Sequence, residues 1–521
     1  MARLSPQDIL ATSFCVLVSA WFFLRRRRAG RYLHPPGPRP LPLLGNLLDV
    51  PDPSGFPWKT YIEWGQQHRS DLVRMSVLGT NIVVINTLEM VNELLDKRSS
   101  IYSDRPRMIM LNELCGFGWG TAFIPYGDRW RDHRRIVHQE FRSGPVKRFR
   151  PNEQKSATRF LVNLHRHPEK LMDNLRHLSA ATIMSIAYDI DVASLDDPYI
   201  HTAEAAGDSI SETTIAGAFL VDIIPFLRYV PEWFPGAGFQ KKAKHWRVAV
   251  ERLRDAPYDN ALKRFTAGNL GDCTAKFVIE SFGKNAKDPM YADHIMRSVL
   301  GSIYVGGADT TVSVLGSFFL AMTLHPKIQE KARSQLDRVI GPHCLPGFSD
   351  QPSLPYIEAI LRESLRWNPV VPLDAPHMST QDDMYNGYFI PKGTLVIANS
   401  WAILHDEKAY GTDASDFNPD RFLRPDGTLD LDVRDPSVAA FGFGRRICPG
   451  QYMALDSMWF TIANVLALFE IKKAVDEDGQ EVTPNVEYNR GFFHPKPFPC
   501  VIKPRSAEHE AILHELAHQE A

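Results

Sequence analysis

Residues 441–450 read FGFGRRICPG and place one cysteine, Cys448, among glycines, arginines and a proline. This composition predicts a constrained loop that leads into a helix beginning near Gln451. Backbone N–H groups at a helix start, together with nearby positive charge, lower the pKa of a thiol and favour the thiolate. A thiolate held in this way suits a soft metal ion or a haem iron. A nucleophilic cysteine has less support because no histidine lies nearby in the sequence, and an inert buried cysteine is the other alternative.

A second unusual stretch lies in the middle of a long helical pattern. Apolar residues recur at helical spacing from Asp293 to His325, which predicts a helix of roughly 50 Å at 1.5 Å per residue. Its centre, residues 306–311, reads GGADTT, and two adjacent glycines inside a helix cost about 1 kcal/mol each relative to alanine. Either a bulky group approaches the backbone beside the acid and the alcohol that follow, or the glycines form a packing notch between crossing helices.

Five motifs in chain order resemble those of the cytochrome P-450 superfamily. They are Trp130 and Arg134 (WxxxR, helix C), residues 306–311 (GGADTT, oxygen activation), residues 363–366 (ESLR, helix K), residues 418–422 (NPDRF) and residues 441–450 (haem-binding loop). In the fourth motif Asp420 replaces the usual glutamate. The match runs to about Lys503 and so covers nearly the whole chain.

The resemblance implies a haem b cofactor whose iron takes the Cys448 thiolate as axial ligand, which favours cleavage of the O–O bond. Thr310 is implied in oxygen activation, and Asp309 in relaying protons from solvent. Further cofactor contacts are implied for Gly307, Phe441 and the propionate-binding residues Trp130, Arg134, His377 and Arg446. A plain surface histidine is the alternative for His377.

A structural triad is also implied. Glu363 and Arg366 lie three residues apart, hence on one helix face, where Arg421 can join them. By the resemblance, this triad holds the loop that carries Cys448.

The remaining patterns predict a mainly α fold with small β-sheets, as the resemblance to the cytochrome P-450 fold also implies. Helical patterns dominate from Leu88 to about Lys331. Residues 72–77 and 81–85 predict a short hairpin, and residues 388–390 and 394–398 predict two more short strands.

The amino terminus predicts a single membrane-spanning anchor, residues 1–28. Residues 9–24 carry no charge and four arginines follow them, whereas a cleavable signal peptide has its positive charge before the apolar core. By the positive-inside rule, the body is then cytoplasmic, at the endoplasmic reticulum membrane. An ordinary buried helix is the alternative. A proline-rich hinge (29–42), the catalytic domain (43–505) and a solvated tail (506–521) complete the predicted organisation.

The overall composition excludes several classes of protein. With 44% hydrophobic and 23% charged residues, the chain is neither disordered nor collagenous. A formal charge of −2 gives no reason to expect nucleic acid, and six irregularly spaced cysteines do not form a disulfide framework. A monomer is expected. A basic patch that could dock an acidic flavin domain is predicted from Arg129, Arg131, Arg134, Arg135 and Arg445.

Within the family, the chain is similar to fungal secondary-metabolism members, including O-methylsterigmatocystin oxidoreductase and tryptamine-hydroxylating monooxygenases. The similarity implies a terpenoid, polyketide or indole substrate, with a terpenoid favoured. Substrate contacts are expected from six apolar side chains: Leu111, Leu114, Phe117, Ile303, Val371 and Leu373.

The implied reaction is the insertion of one oxygen atom from O2 into an apolar small molecule, with electrons from NADPH through the flavin-containing NADPH–cytochrome P-450 reductase. One alternative is a haem-thiolate isomerase or dehydratase without a reductase, although such relatives usually lose the pair that Asp309 and Thr310 form. The other is a non-catalytic haem or lipid binder at the membrane.

Two further motifs are set aside. Residues 514–518 (HELAH) match the HExxH of zinc proteases, but they lie near the carboxyl end with no chain after them to supply a third ligand. Residues 115–120 (CGFGWG) resemble a dinucleotide-binding loop, but they neither follow a predicted strand nor open a βαβ unit.

Overall fold

The computed structural model describes residues 32–52, 55–214, 218–284, 286–489 and 493–520. The predicted membrane anchor, residues 1–28, and the first part of the hinge lie outside these residues. The long helices, numbered in chain order, are α1 (Pro57–His68), α2 (Asp128–Phe141), α3 (Arg150–Arg166), α4 (Leu171–Tyr188), α5 (Pro198–Thr213), α6 (Gly238–Thr266), α7 (Pro289–Leu324), α8 (Pro326–Val339), α9 (Pro355–Trp367), α10 (Gln451–Leu468) and α11 (Ala507–Glu520).

Shorter helical segments connect these helices. They are Leu88–Val91, Asn92–Lys97, Ser99–Tyr102, Ile109–Leu114, Pro145–Phe149, Pro168–Lys170, Leu220–Ile223, Pro225–Tyr229, Thr274–Val278, Ile279–Gly283, Phe348–Ser353, Ser400–Leu404, Glu407–Tyr410, Pro419–Phe422, Ser437–Ala440 and Gly444–Arg446.

The strands form small sheets, as the sequence predicts. They are β1 (Leu72–Val77), β2 (Thr80–Ile85), β3 (His377–Met378), β4 (Asp383–Tyr385), β5 (Tyr388–Ile390), β6 (Leu395–Ala398), β7 (Phe469–Val475), β8 (Glu481–Val482) and β9 (Cys500–Pro504). The largest sheet has the order β1-β2-β6-β3, and the smaller ones are β4-β5 and β8-β7-β9. The chain is therefore mainly α with small sheets.

The predicted hairpin is confirmed. Strands β1 and β2 pair antiparallel, with Val77 opposite Thr80. Leu78 and Gly79 between them both have positive φ, 48° and 91°, the conformation of the two-residue turns that match the twist of a hairpin. β5 and β6 follow each other in sequence but do not pair. The buried β6 runs parallel to β2, and β5 pairs with β4.

Helix α7 crosses the core and begins four residues earlier than predicted. The Asp288 carboxylate accepts hydrogen bonds from the backbone N–H groups of Met290 (3.0 Å) and Tyr291 (3.1 Å), and Pro289 takes the first helical position. The helix ends at Leu324, two residues before Pro326. In the described part of the chain α7 is long and apolar enough to cross a membrane, but 67% of its apolar window is buried, as befits a core helix.

The carboxyl-terminal segment differs from the predicted solvated tail. Residues 507–520 form the helix α11, and its Leu513 is only 1% exposed within the core cluster that contains α3 and α10. One face of α11 therefore packs against the body of the protein, beside α3.

Candidate active site

A cavity of about 360 Å³ lies between the centre of α7, the loop 441–450 and the start of α10. Both Cys448 and Thr310, which are distant in the sequence, line it. The structure therefore brings the two most unusual stretches of the sequence together around one space.

The loop that carries Cys448 is fixed by its backbone. Gly442 and Gly444 have positive φ, 75° and 56°. A Cβ added at Gly444 would lie 2.0 Å from the carbonyl oxygen of Leu95, so only glycine permits this close approach. The Cys448 N–H donates to the Phe441 carbonyl at 2.8 Å, and α10 begins at Gln451, as predicted.

The pKa of the Cys448 thiol differs from the prediction. Burial raises this pKa above its usual value, and burial outweighs the backbone N–H groups of Gly450 and Gln451 and the Arg134 guanidinium, all of which lower it. The helix start and the positive charge are present, but on their own they do not hold a thiolate. A bound metal cation deprotonates a coordinating thiol, so a haem iron in the cavity would favour the thiolate form of Cys448.

Three arginines line the cavity: Arg105, which is buried, and Arg134 and Arg446, which are partly buried. Their guanidinium groups donate to backbone carbonyls, and among the described residues none forms an ion pair with a carboxylate. Arg134 donates to Ile447 at 2.5 Å, and Arg446 donates to Ser103 at 2.8 Å. Burial, followed by the repulsion of Arg105, lowers the pKa of Arg446 to about 9. The described lining of the cavity therefore holds more positive than negative charge, with Asp374 as its carboxylate.

Trp130 and His377 complete this positive end of the site. The Arg446 guanidinium lies 4.7 Å from the ring centre of Trp130, and Trp130 lines the cavity. His377 is buried rather than at the surface. Its Nδ1 pairs with the Tyr102 carbonyl at 2.7 Å, while its Nε2 has no hydrogen-bond partner. Burial, followed by the charge of Arg105, lowers the pKa of His377 well below its usual value.

These residues fit a haem. A haem presents two carboxylates at one edge, and the arginines of the cavity are the donors that such carboxylates need. The Nε2 of His377, whose Nδ1–H is donated to the Tyr102 carbonyl, would also donate there if the carboxylates kept the imidazole protonated. The Cys448 sulfur would bind the iron. Phe441 also lines the cavity.

The two glycines of GGADTT have different roles. A Cβ at Gly306 would meet no atom within 4 Å, so this glycine opens space at the cavity. A Cβ at Gly307 would lie 2.7 Å from Ile183 of α4, so Gly307 is the packing notch between crossing helices, although it also borders the cavity. Its predicted role as a cofactor contact is thus secondary, because its missing side chain makes room for Ile183.

Thr310 and Asp309 lie on different sides of α7. Thr310 lines the cavity, and its Oγ1 donates to the Gly306 carbonyl at 2.9 Å. Asp309 does not line the cavity, and its Oδ2 lies 3.0 Å from Nε2 of His494. Asp309 also raises the pKa of the neighbouring Asp208, after the larger effect of burial. The acid therefore faces a polar group behind α7.

The predicted triad meets, but it holds a different segment. Arg366 donates twice to Glu363, at 2.6 and 2.8 Å, and Arg421 donates to the same carboxylate at 3.2 Å. Arg366 also binds the carbonyls of Leu404 and Ala414. These bonds hold residues 404–421, and none in the described structure reaches the Cys448 loop. Arg134 and Arg446 fix that loop instead.

Four of the six predicted substrate contacts lie elsewhere. Ile303 and Val371 line the cavity. Leu111 and Phe117 are fully buried in a core cluster against which Leu114 packs, and Leu373 packs against a different cluster. The sequence indicated that Leu111, Leu114 and Phe117 contact the substrate, but in the folded chain these side chains pack in the core. Phe123, Val305 and Val370 also line the cavity, and they belong to the stretches 107–124, 302–305 and 370–375 from which pocket contacts are expected. Ile183 and Ile210 line the cavity from outside these stretches and were not predicted.

The predicted basic patch is also smaller than expected. Arg134 points into the cavity. Arg131 pairs with Asp128, and Arg135 pairs with Asp132 at 3.3 Å. Arg445 donates to the hydroxyl of Tyr126 at 2.6 Å.

Three polar residues of the site were missed. Arg105 and Asp374 line the cavity, and His494 pairs with Asp309. None of them belongs to a short motif. A basic residue in the run YSDRPR and a histidine among the aromatic residues of GFFHP were the available signals, and neither pattern is specific.

Comparison with known proteins agrees with this geometry. The model of the family described as Cytochrome P-450 matches residues 35–498. Cytochrome P-450 monooxygenase 98 of Postia placenta is 43% identical over 516 residues, which cover 98% of each chain. Tryptamine 4-monooxygenase of Psilocybe cyanescens is 38% identical over 497 residues, covering 95% of this chain and 97% of the other. A family match of this length, with relatives this similar along their whole length, leads to one conclusion: the chain belongs to the cytochrome P-450 family.

Proposed function

We propose that the chain is a reductase-dependent monooxygenase that oxidises a neutral, apolar small molecule, with a terpenoid favoured. The observation that carries this proposal is the single cavity in which the Cys448 thiol and the Thr310 hydroxyl face the same space. An isomerase or dehydratase needs no such alcohol, and the chain retains both Thr310 and Asp309.

The haem, when bound, supplies the chemistry that activates O2 and oxidises a C–H bond. Arg105, Arg134 and Arg446, with His377 and Trp130, would bind its carboxylates. The Cys448 loop, in which Gly442 and Gly444 take positive φ, would present the sulfur to the iron.

Thr310 and Asp309 handle protons. The Thr310 hydroxyl lies at the cavity, where it donates and accepts hydrogen bonds beside the reaction centre. Asp309 lies behind it and, with His494, links α7 to polar groups outside the cavity. When water enters beside Gly306, where a side chain is missing, the Thr310 oxygen accepts a proton that comes from this pair while the hydroxyl gives its own proton to the cavity, so that Thr310 is unchanged after each transfer.

The distribution of charge around the cavity supports a neutral substrate. Within the described lining, the charged residues are Arg105, Arg134, Arg446 and Asp374. Asp374 lies near the arginines, and its carboxylate is 4.0 Å from Nε2 of His377. The described lining from α4, α5 and α7 is uncharged and mostly apolar, with Ile183, Ile210 and Ile303 among its residues. A protonated amine would find no carboxylate on that side, and therefore a hydrocarbon skeleton is favoured over a tryptamine.

The deciding experiment is turnover of membranes that carry the chain, supplied with NADPH and the reductase. We expect oxygenated products from terpenoid hydrocarbons and none from tryptamine. Products that form equally well without NADPH would support the isomerase or dehydratase instead. Thr310→Ala should lower product formed per NADPH several-fold and release hydrogen peroxide, whereas Thr310→Ser, which keeps the hydroxyl, should restore most of the coupling. Unchanged coupling in Thr310→Ala would remove Thr310 from the mechanism.

The reductase is proposed to dock on the side of the molecule where Arg131, Arg135 and Arg445 are exposed. Asp128 and Asp132 neutralise part of this surface. We expect the double variant Arg131→Glu/Arg135→Glu to raise the reductase KM several-fold and to leave the absorption spectrum of the reduced CO complex unchanged. An unchanged KM would contradict the docking site.

The proposed location is the endoplasmic reticulum membrane, with residues 1–28 as the anchor and the catalytic domain in the cytoplasm. Alkaline extraction should leave the full chain in the membrane pellet and release a chain that lacks residues 1–28. Release of both would argue against the anchor.

A further inference from the structure

A second group of metal-binding side chains lies on the surface, outside the cavity. His165 is in the last turn of α3, and Glu510 and His514 are on α11. One ligand atom from each of these three residues lies within 4.8 Å of the others. We propose that His165, Glu510 and His514 bind one Zn²⁺ ion and clamp α11 to α3.

The spacing suits a common metal ion. Glu510 and His514 lie four residues apart, so their side chains are neighbours on one face of α11. The Nε2 of His165 lies 3.9 Å from Oε1 of Glu510, and the rings of His165 and His514 are 5.5 Å apart at 88°. Ligands at about 2.0–2.2 Å from a tetrahedral Zn²⁺ lie about 3.4 Å from one another. Small side-chain rotations are enough to close this difference.

The three side chains are also free to bind. In the described part of the chain, no hydrogen bond occupies a ring nitrogen of His165 or His514. Glu510 and His514 are exposed, and His165 is partly exposed, so an ion can reach all three from solvent. Two imidazoles and one carboxylate are a ligand set that Zn²⁺ prefers, with water in the fourth position.

The cluster changes the interpretation of the HELAH sequence at residues 514–518. The two histidines of a zinc-protease motif would bind one ion together. Here His514 instead joins Glu510, one turn before it, and His165 from another helix, while His518 is exposed and lies outside the cluster. The two other ligands, His165 and Glu510, therefore both precede the motif in the sequence.

Zinc at this position would fasten the end of the chain to the catalytic body. Without metal, α11 is held by the buried Leu513 and by an ion pair between Glu520 and Arg159 of α3, at 3.7 Å. Helix α3 in turn is joined to α10 by the bond from Arg150 to Asp456, at 2.8 Å. The site would thus strengthen the packing beside the helix that follows Cys448.

The test uses the full, untagged holoprotein after treatment with a chelator. It is dialysed against Zn²⁺, and bound zinc is counted by mass spectrometry separately from haem iron. We expect one zinc per chain with micromolar affinity at pH 7.5. His165→Ala and His514→Ala should each weaken binding at least tenfold. His518→Ala is the matched control, a histidine of the same helix outside the cluster, and should bind as the unchanged protein does.

Hydrogen exchange provides a second measurement. Zn²⁺ should slow exchange in residues 507–520 of the unchanged protein and of His518→Ala, and have no effect on His514→Ala. The proposal is overturned if the double variant His165→Ala/His514→Ala takes up as much zinc as the unchanged protein, or if His518→Ala weakens binding as much as His514→Ala. The CO spectrum of each variant shows that the body remains folded.

Discussion

Two clusters of arginines, one around the fully buried Arg366 and one lining the cavity, differ in what surrounds their charge. In the triad, Arg366 is completely buried, and two hydrogen bonds join it to the equally buried carboxylate of Glu363. At the cavity, Arg105, Arg134 and Arg446 meet backbone carbonyls and, among the described residues, no carboxylate in an ion pair. The first cluster is complete without a ligand. The second has charge left over, which marks it as the place where an anion binds.

The comparison matters because burial alone does not distinguish structural from functional residues. Burying a charge is costly unless the charge is paired, and this cost is visible in the pKa of Arg446, which burial and then Arg105 lower to about 9. A protein that keeps three such groups at one cavity has a stable state in which they are paired, and in this family that state is the haem-bound one.

The largest expected effect comes from removing the ligand atom and leaving both arginine clusters in place. Cys448→Ala should abolish the red-shifted Soret band of the reduced CO complex and reduce NADPH-dependent turnover to background, because the axial sulfur is lost. Far-UV circular dichroism should stay the same, since the paired triad is untouched. Cys344→Ala, at an exposed cysteine, should keep both the band and the turnover. A normal band in Cys448→Ala would refute the assignment.

The next largest effect is expected from a variant that breaks the ion pair between Glu363 and Arg366. Glu363→Ala leaves Arg366 buried without its carboxylate, and breaking a buried pair of this kind costs about 3–5 kcal/mol. We expect the folded yield to fall sharply and the urea midpoint of the remaining protein to decrease. Glu358→Ala on the same helix is the control, because its pair with Arg362 at 3.2 Å is partly exposed and is worth about 1 kcal/mol or less. Equal losses in the two variants would contradict the structural role of the triad.

The unpaired cluster should respond in the opposite way. Arg446→Met removes a partly buried charge that has no carboxylate partner, and this gain should offset the loss of its bonds to the carbonyls of Ser103, Thr121 and Ile124. The haem-free protein should therefore unfold at the same or a higher urea concentration. Haem retention should fall, since a charge-assisted hydrogen bond contributes about 1.5–3 kcal/mol, or about tenfold or more in the rate of haem loss. The rate of haem transfer to apomyoglobin measures this loss. Arg445→Met, at the exposed neighbour, should change neither the urea midpoint nor the rate of haem loss. If the haem-free Arg446→Met protein were less stable than the unchanged haem-free protein, the distinction between the two clusters would be wrong.

Much of the fold and of the site followed from local sequence. The hairpin at residues 72–85, the helix that begins at Gln451 and the span of α7 depend on turn chemistry, capping and periodicity, which act over a few residues. Cys448, Thr310 and the members of the triad stand in motifs whose residue types are unusual for their positions. Such stretches can be interpreted without knowing their neighbours in space.

What could not be predicted depends on direction and on distant partners. Apolar residues such as Leu111 and Phe117 suit a cavity wall and a core equally well. The packing of their loop places them in the core. The space that a side chain at Gly307 would fill is occupied by Ile183, a residue on another helix. The net pKa of Cys448 depends on burial, which outweighs the local N–H groups that the sequence did indicate.

The smallest predicted effect tests a third kind of buried charge, an acid without either partner or ligand. Glu153 on α3 is 2% exposed, and neither of its carboxylate oxygens has a hydrogen-bond partner. Burial, followed by the repulsion of Asp456, raises its pKa to about 9. Unlike a buried arginine, this acid avoids the cost of a buried charge by keeping its proton at pH 7, so its lack of a partner does not mark a ligand site.

The sign of the pH dependence follows from this raised pKa. The folded state holds the proton of Glu153 up to about pH 9, whereas an unfolded glutamate loses it near its ordinary pKa of 4.5. The associated stability is therefore complete below pH 4.5 and is lost as the pH rises toward 9. Glu153→Gln does not titrate, so it should be close to the unchanged protein in stability near pH 5 and more stable than the unchanged protein at pH 8. Urea midpoints at the two pH values measure the difference, with the exposed Glu169→Gln as control. A difference that stays constant with pH would show that Glu153 is ionised in the folded protein, and unpaired burial at this position would then need a ligand of its own.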